Sequence, residues 1–179
     1  MKIVFLDRDG VINRFPGKGV YVTRQEDFQF LPRAVDAIRR LKEAGCEVYV
    51  VSNQGCVSRG LITEKKLAEM TGRMMEEIRR HGGDISRVLY CPHQKSDNCD
   101  CKKPKVKLFL EAIAGRNPDM SDVYFAGDSE EDIQAGKNLG CRTILVLSGR
   151  TTAEELGSFP LKADAVKKDL WEAVEWILR

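Results

Sequence analysis

No stretch of the 179-residue chain approaches the ~20 consecutive apolar residues of a membrane-crossing helix, so no membrane anchor is expected in it. A basic region, an apolar h-region and a small-residue cleavage site are also missing from the first residues, which run straight into a strand pattern. Excess charge of one sign is lacking. Lys and Arg number 29 against 27 Asp and Glu, the net charge is +2, and the basic residues are dispersed, which argues against a dedicated nucleic-acid binder. There is no repeat, linker or low-complexity segment, so a single domain, residues 1–179, with one sizeable core is expected. The six cysteines do not read as a disulfide framework at this size. Three of them fall within eleven residues beside a histidine, which points to metal and to a reducing, cytoplasmic setting.

What the chain does have begins at once. Lys2-Ile3-Val4-Phe5-Leu6 is an apolar, β-leaning run that stops at Asp7-Arg8-Asp9-Gly10. Such a strand is usually central in a parallel sheet and buried on both faces. Open α/β sheets place ligands at the C-terminal ends of their strands. Asp7 is therefore expected at the mouth of a crevice, with Asp9 beside it after a turn that Gly10 permits.

Strand and helix patterns alternate through the rest. Residues 13–31 are irregular, punctuated by Asn13, Pro16, Gly17 and Gly19. A helix is predicted from Pro32, with Ala34, Val35, Ile38 and Leu41 at helical spacing, up to Ala44-Gly45. Cys46–Val51 reads as a second strand and ends at Ser52-Asn53-Gln54. Thr63 opens a long helix with Leu67, Met70, Met74 and Ile78 inside, and the methionine stripe reads as core. A third strand, Val88–Tyr90, runs into the cysteine segment, and a helix with Leu108 to Ile113 follows Pro104. Val123–Ala126 is a fourth strand, followed by Gly127-Asp128 and a helix to Gly140. Thr143–Leu147 is a fifth, and the tail carries Ala163–Val166 and an amphipathic helix around Leu170, Val174 and Ile177. The fold class is α/β: a doubly wound, largely parallel sheet with helices on both faces.

Polar groups stand where several of these strands end. Asp7 and Asp128 would make an oxygen-rich site fit for Mg²⁺, which prefers a few carboxylates, water and a substrate phosphate. Ser52, Asn53, Gln54, Lys102 and Lys103 add donors for phosphate oxygens. Together they describe phosphoryl transfer to an aspartate, with a second carboxyl as acid and base. Ser129-Glu130-Glu131-Asp132 also fits a capping box, so Ser129 and Asp132 start a helix, support the metal, or do both.

Asp7-Arg8-Asp9-Gly10-Val11-Ile12-Asn13, Ser52-Asn53-Gln54, Lys102-Lys103-Pro104 and Gly127-Asp128-Ser129-Glu130-Glu131-Asp132 resemble the four signature motifs of the haloacid dehalogenase (HAD) phosphatase superfamily. Glu26-Asp27-Phe28, Phe30-Leu31-Pro32, Arg59-Gly60 and Cys91-Pro92-His93 are similar to its bacterial D-glycero-D-manno-heptose 1,7-bisphosphate phosphatases. The resemblance implies that Asp7 is the nucleophile and that Asp9 protonates the leaving alkoxide and then activates water. It further implies that Asp7, the Asp9 backbone carbonyl and Asp128 hold Mg²⁺, while Ser52 and Lys103 hold the phosphoryl oxygens. Two histidines suffice, because this mechanism needs none.

Cys91, His93, Cys99 and Cys101 form C-x-H-x5-C-x-C, and three thiolates with an imidazole suit a closed, structural Zn²⁺ site. Related phosphatases carry a zinc loop at this place. Lys95, Lys102 and Lys105 can offset its net charge, and Cys46 and Cys141 read as core residues. Three features depart from the heptose pattern. Lys102 replaces the usual arginine, Gly55-Cys56 displaces a glycine by one, and the loop at 14–20 is long. The segment Cys99–Leu108 is more similar to histidinol-phosphate phosphatases of the same branch, which keeps that substrate as the alternative. The spacing of the motifs leaves no room for a cap domain, so the crevice is expected to be roofed by residues 13–31, the turn after Ser52 and the zinc loop. The expected partner is a small phosphorylated substrate, a sugar bisphosphate, and the expected state is a monomer. A nucleic acid 3′-phosphatase and a non-enzymatic zinc-stabilised module are the remaining readings.

Overall fold

The computed structural model describes residues 1–158 and 162–179. Six parallel strands form one sheet: β1 (Ile3–Leu6), β2 (Glu47–Asn53), β3 (Arg87–Cys91), β4 (Val123–Gly127), β5 (Arg142–Val146) and β6 (Ala165–Lys167). Their order is β3-β2-β1-β4-β5-β6. The order reverses between β1 and β4, which opens a crevice at their C-terminal ends.

Alternation along the strands sends side chains to two cores. On one face Val4, Leu6, Val48, Val50 and Ile144 meet α1 (Ala34–Glu43), α5 (Leu170–Ile177) and the Met74–Ile78 part of α2 (Glu64–Arg80). On the other, Ile3, Phe5, Val51 and Phe125 meet α3 (Lys107–Ala112) and α4 (Glu130–Leu139), with Phe109 edge-on to both Phe5 and Phe125. Every residue of β1 is buried, as expected of a strand covered on both sides. Met70 packs in a third cluster with Val22, Cys56 and Leu67, tying the 13–31 segment to α2. The methionine stripe is core. No helix among the described residues is long and apolar enough to cross a membrane.

Several boundaries differ from the pattern in the sequence. The first helix begins at Ala34 rather than Pro32, because Arg33 sits in the left-handed region (φ 61°) with its guanidinium 3.6 Å from the Trp171 ring centre. That contact comes from the far end of the chain. The helix after Pro104 waits until Lys107, since Lys102–Lys105 closes a turn first. The fifth strand spans Arg142–Val146, and the stretch at 163–166 becomes edge strand β6, which starts two residues later, at Ala165, and ends at Lys167.

Candidate active site

Asp7 follows β1 and Asp128 follows β4, so the adjacency of these two strands brings the two carboxylates to one point. With Asp132, from the first turn of α4, one carboxylate oxygen from each lies within 4.8 Å of the others. All three are buried. Lys103 Nζ lies 2.6 Å from Asp7 Oδ1, 2.6 Å from Asp132 Oδ1 and 3.0 Å from the Val51 carbonyl. One lysine therefore faces three acids. Burial pushes the Asp7 carboxyl up to about 6, against the pull of Lys103 and with added repulsion from Asp132 and Asp9. Burial also raises Asp128, with repulsion from Asp132 and Asp7. Lys103 is driven the other way: burial works against its charge, but Asp132 and Asp7 hold it firmly protonated.

Asp132 serves two purposes at once. Its Oδ2 accepts from Ser129 N, Ser129 Oγ and Asp128 N, completing a capping box, while Oδ1 takes Lys103. Asp128 is held in turn by the exit of β5: Arg150 N donates to its Oδ2 at 2.6 Å, and Thr151 Oγ1 donates to its carbonyl at 2.6 Å. Gly10 (φ +87°) and Gly149 flank it so closely that a Cβ on either would lie 2.0 Å from Asp128 Oδ2. The glycines are there for space as much as for the turn.

A cavity of about 200 Å³ opens above these groups, and Asp7, Asp9, Ser52, Asn53, Lys102, Lys103, Asp128 and Asp132 line it. Of the 13–31 segment, only residues 15–21 reach it. The cysteines of the proposed zinc loop do not. Gln54 does not reach it either. It is fully buried beneath the floor and donates to Asp9 Oδ2 at 2.8 Å. Asn53 lines the cavity, but its amide exchanges two hydrogen bonds with the Lys103 backbone, at 3.0 and 3.3 Å, and so fixes the lysine to the end of β2. Three contributors escaped sequence reasoning: Arg8, Asn13 and the Ser148–Thr151 exit of β5. The last carried a usable signal, because a fifth parallel strand must end at the same edge.

Cys91, His93, Cys99 and Cys101 form a second cluster. Their sulfurs are 3.2–3.6 Å apart, and His93 Nδ1 is 3.3 Å from Cys101 Sγ. A zinc tetrahedron with bonds of ~2.3 Å has sulfur–sulfur edges of about 3.8 Å, so the set is close to that size. Burial pushes Cys91 up to about 12, whereas at Cys99 hydrogen bonds outweigh burial and bring the thiol down to about 7. Lys105 Nζ bonds the Cys99 carbonyl and reaches Asp100.

A family model described as HAD-hyrolase-like matches residues 100–173. A D-glycero-beta-D-manno-heptose-1,7-bisphosphate 7-phosphatase of Pseudomonas putida is 37% identical, with 84% of this chain and 85% of the relative covered. The Haemophilus ducreyi enzyme of the same name is 33% identical over 98% of each chain. The chain belongs to this phosphatase family. The crystal structure of D,D-heptose 1,7-bisphosphate phosphatase from B. bronchiseptica, complexed with magnesium and phosphate, superimposes with a TM-score of 0.92. It is 31% identical over 99% of this chain and 98% of that one. The phosphatase therefore has the HAD fold over its full described length, with the crevice between β1 and β4 as its candidate active site.

Proposed function

We propose that this phosphatase removes the 7-phosphate of D-glycero-D-manno-heptose 1,7-bisphosphate through an aspartyl-phosphate on Asp7. The convergence of Asp7, Asp128 and Asp132 with Lys103 at one cavity floor carries the reading. Similarity to the heptose phosphatases over most of the chain supports the substrate.

The donor set fits Mg²⁺. Three buried carboxylates against one lysine leave surplus negative charge in a hard-oxygen environment. Asp7, the Asp9 carbonyl and Asp128 would hold the ion, Asp132 being engaged by Lys103 and by its own cap. Bound there, Mg²⁺ supplies positive charge that lets an anionic phosphate approach a carboxylate. Lys103 and Ser52 take the phosphoryl oxygens. The Asp7 carboxylate attacks phosphorus and the bond to the sugar oxygen breaks as Asp9 gives that oxygen its proton. The Asp9 carboxylate then takes a proton from water, and the hydroxide adds to phosphorus and frees Asp7. Turnover of heptose bisphosphate compared with histidinol phosphate and 3′-phosphorylated DNA tests the substrate. Preference for either of the last two overturns it.

Gly10→Ala forces Asp128 aside and should raise the Mg²⁺ concentration for half-maximal rate by about 10–100-fold. An unchanged Mg²⁺ titration would show that the cradle is dispensable. Without metal, folded Asp7 binds its proton up to about 6, whereas the unfolded chain releases it near 3.8. The folded state thus holds more protons in that window, and stability falls as pH rises through it, then levels off. Asp128 adds an effect of the same sign. Mg²⁺ binding offsets the ionisation cost, so its thermal shift should be larger at about pH 7 than at about pH 5. Equal shifts in differential scanning fluorimetry contradict this.

Zn²⁺ on Cys91, His93, Cys99 and Cys101 completes the proposal, as a structural ion. All six cysteines are free thiols, which suits a reducing compartment.

A further inference from the structure

We propose that Gln54, with Arg8 and Asn13, is a positioning residue that holds the Asp9 carboxyl in its working orientation; this rests on Asp9 being the acid and base. None of the three lines the cavity, yet all three aim donors at the same carboxylate. Arg8 Nε and Nη2 bond Asp9 Oδ1 at 3.2 and 3.1 Å, and Nη2 reaches Oδ2 at 3.0 Å. Asn13 Nδ2 bonds Oδ1 at 2.8 Å, and Gln54 Nε2 bonds Oδ2 at 2.8 Å.

The arrangement is costly as mere scaffolding. Arg8 is 1% exposed, a full charge taken out of water, flanked by Tyr90 and Phe28 with ring centres 5.5 and 5.9 Å from its guanidinium carbon. Asn13 leaves its Oδ1 buried without a hydrogen-bond partner while its Nδ2 serves Asp9. Gln54 closes a ring: its Oε1 accepts from Arg8 Nη2 at 3.1 Å and its Nε2 donates to Asp9, so the amide has one workable orientation. Asp9 itself stands on a turn, where a short side chain has several staggered rotamers open to it. The donors select one. The carboxyl edge is gripped from behind while the residue still borders the cavity.

A double-mutant cycle separates positioning from general support. Gln54→Leu keeps bulk and removes both polar ends. On heptose bisphosphate it should lower kcat/KM by ~100-fold, the scale of a misplaced proton donor. On 4-nitrophenyl phosphate, whose leaving group departs without a proton, the loss should shrink to about threefold or less. In an Asp9→Ala background, adding Gln54→Leu should cost less than about twofold on the aryl phosphate. Equal losses on both substrates, or the same loss with and without Asp9, overturn the proposal. If Asp9→Ala alone harms both substrates equally, the acid–base reading of Asp9 fails instead. Asn13→Ala, which removes a different donor, is run through the same cycle and must give the same pattern should Gln54→Leu not fold.

Discussion

Asp7→Asn should abolish phosphate release, with a loss of about 10⁴-fold or more, the scale seen when a covalent nucleophile is removed from other hydrolases. Asparagine matches aspartate in shape but offers no carboxylate to phosphorus. The fold should survive. Lys103 keeps Asp132 and the Val51 carbonyl as partners. The change also removes one of three crowded acids whose ionisation opposes folding above about pH 6. The variant should therefore melt no lower than the parent at neutral pH without metal, an instance of a site that trades stability for activity. Steady-state phosphate release and thermal unfolding of the same preparation check both halves. Residual turnover above about one part in a hundred would place the nucleophile elsewhere.

Loss of the proposed zinc site, Cys91, His93, Cys99 and Cys101, should be the largest stability change. Structural zinc contributes folding free energy directly, so Cys99→Ser or chelation is expected to cost on the order of 3 kcal/mol or more. Activity should fall with it, for a local reason. Lys103 lies two residues after Cys101. The Cys91 carbonyl accepts from Gln54 N at 2.7 Å, and the Pro92 carbonyl accepts from Ser58 N at 3.0 Å. Releasing the cysteine loop thus loosens both the lysine and the turn after β2. Parallel chelator titrations of melting temperature and turnover measure this. A folded, zinc-free protein with full activity would refute the coupling.

Much of this site could be read from the chain because it depends on local rules. Strand ends, the Ser129–Asp132 cap, the four zinc-ligand candidates and the Asp7/Asp9 pair are each written within a few residues. Side-chain direction was not legible. Gln54 was expected at the phosphate and lies under the floor, because position 54 is one past β2 and its amide finds Arg8 and Asp9. Asn53 was expected to bind substrate and is paired with the Lys103 backbone. The local sequence allows Asp132 to cap the helix, to support a metal, or both, and in the fold its two oxygens divide the work between cap and Lys103.

By itself, then, the order of residues determined the alternation of elements, the class of chemistry and the acids proposed for it, since periodicity, caps and motif spacing act over short range. Only the tertiary structure decided that β1 lies against β4, so that acids 121 positions apart share one floor with Lys103. It also decided that Arg8 and Gln54 turn inward to hold Asp9, and that the β5 exit braces Asp128. Those outcomes come from packing between distant segments, where a neighbour's burial and charge select one rotamer from several that the local backbone allows.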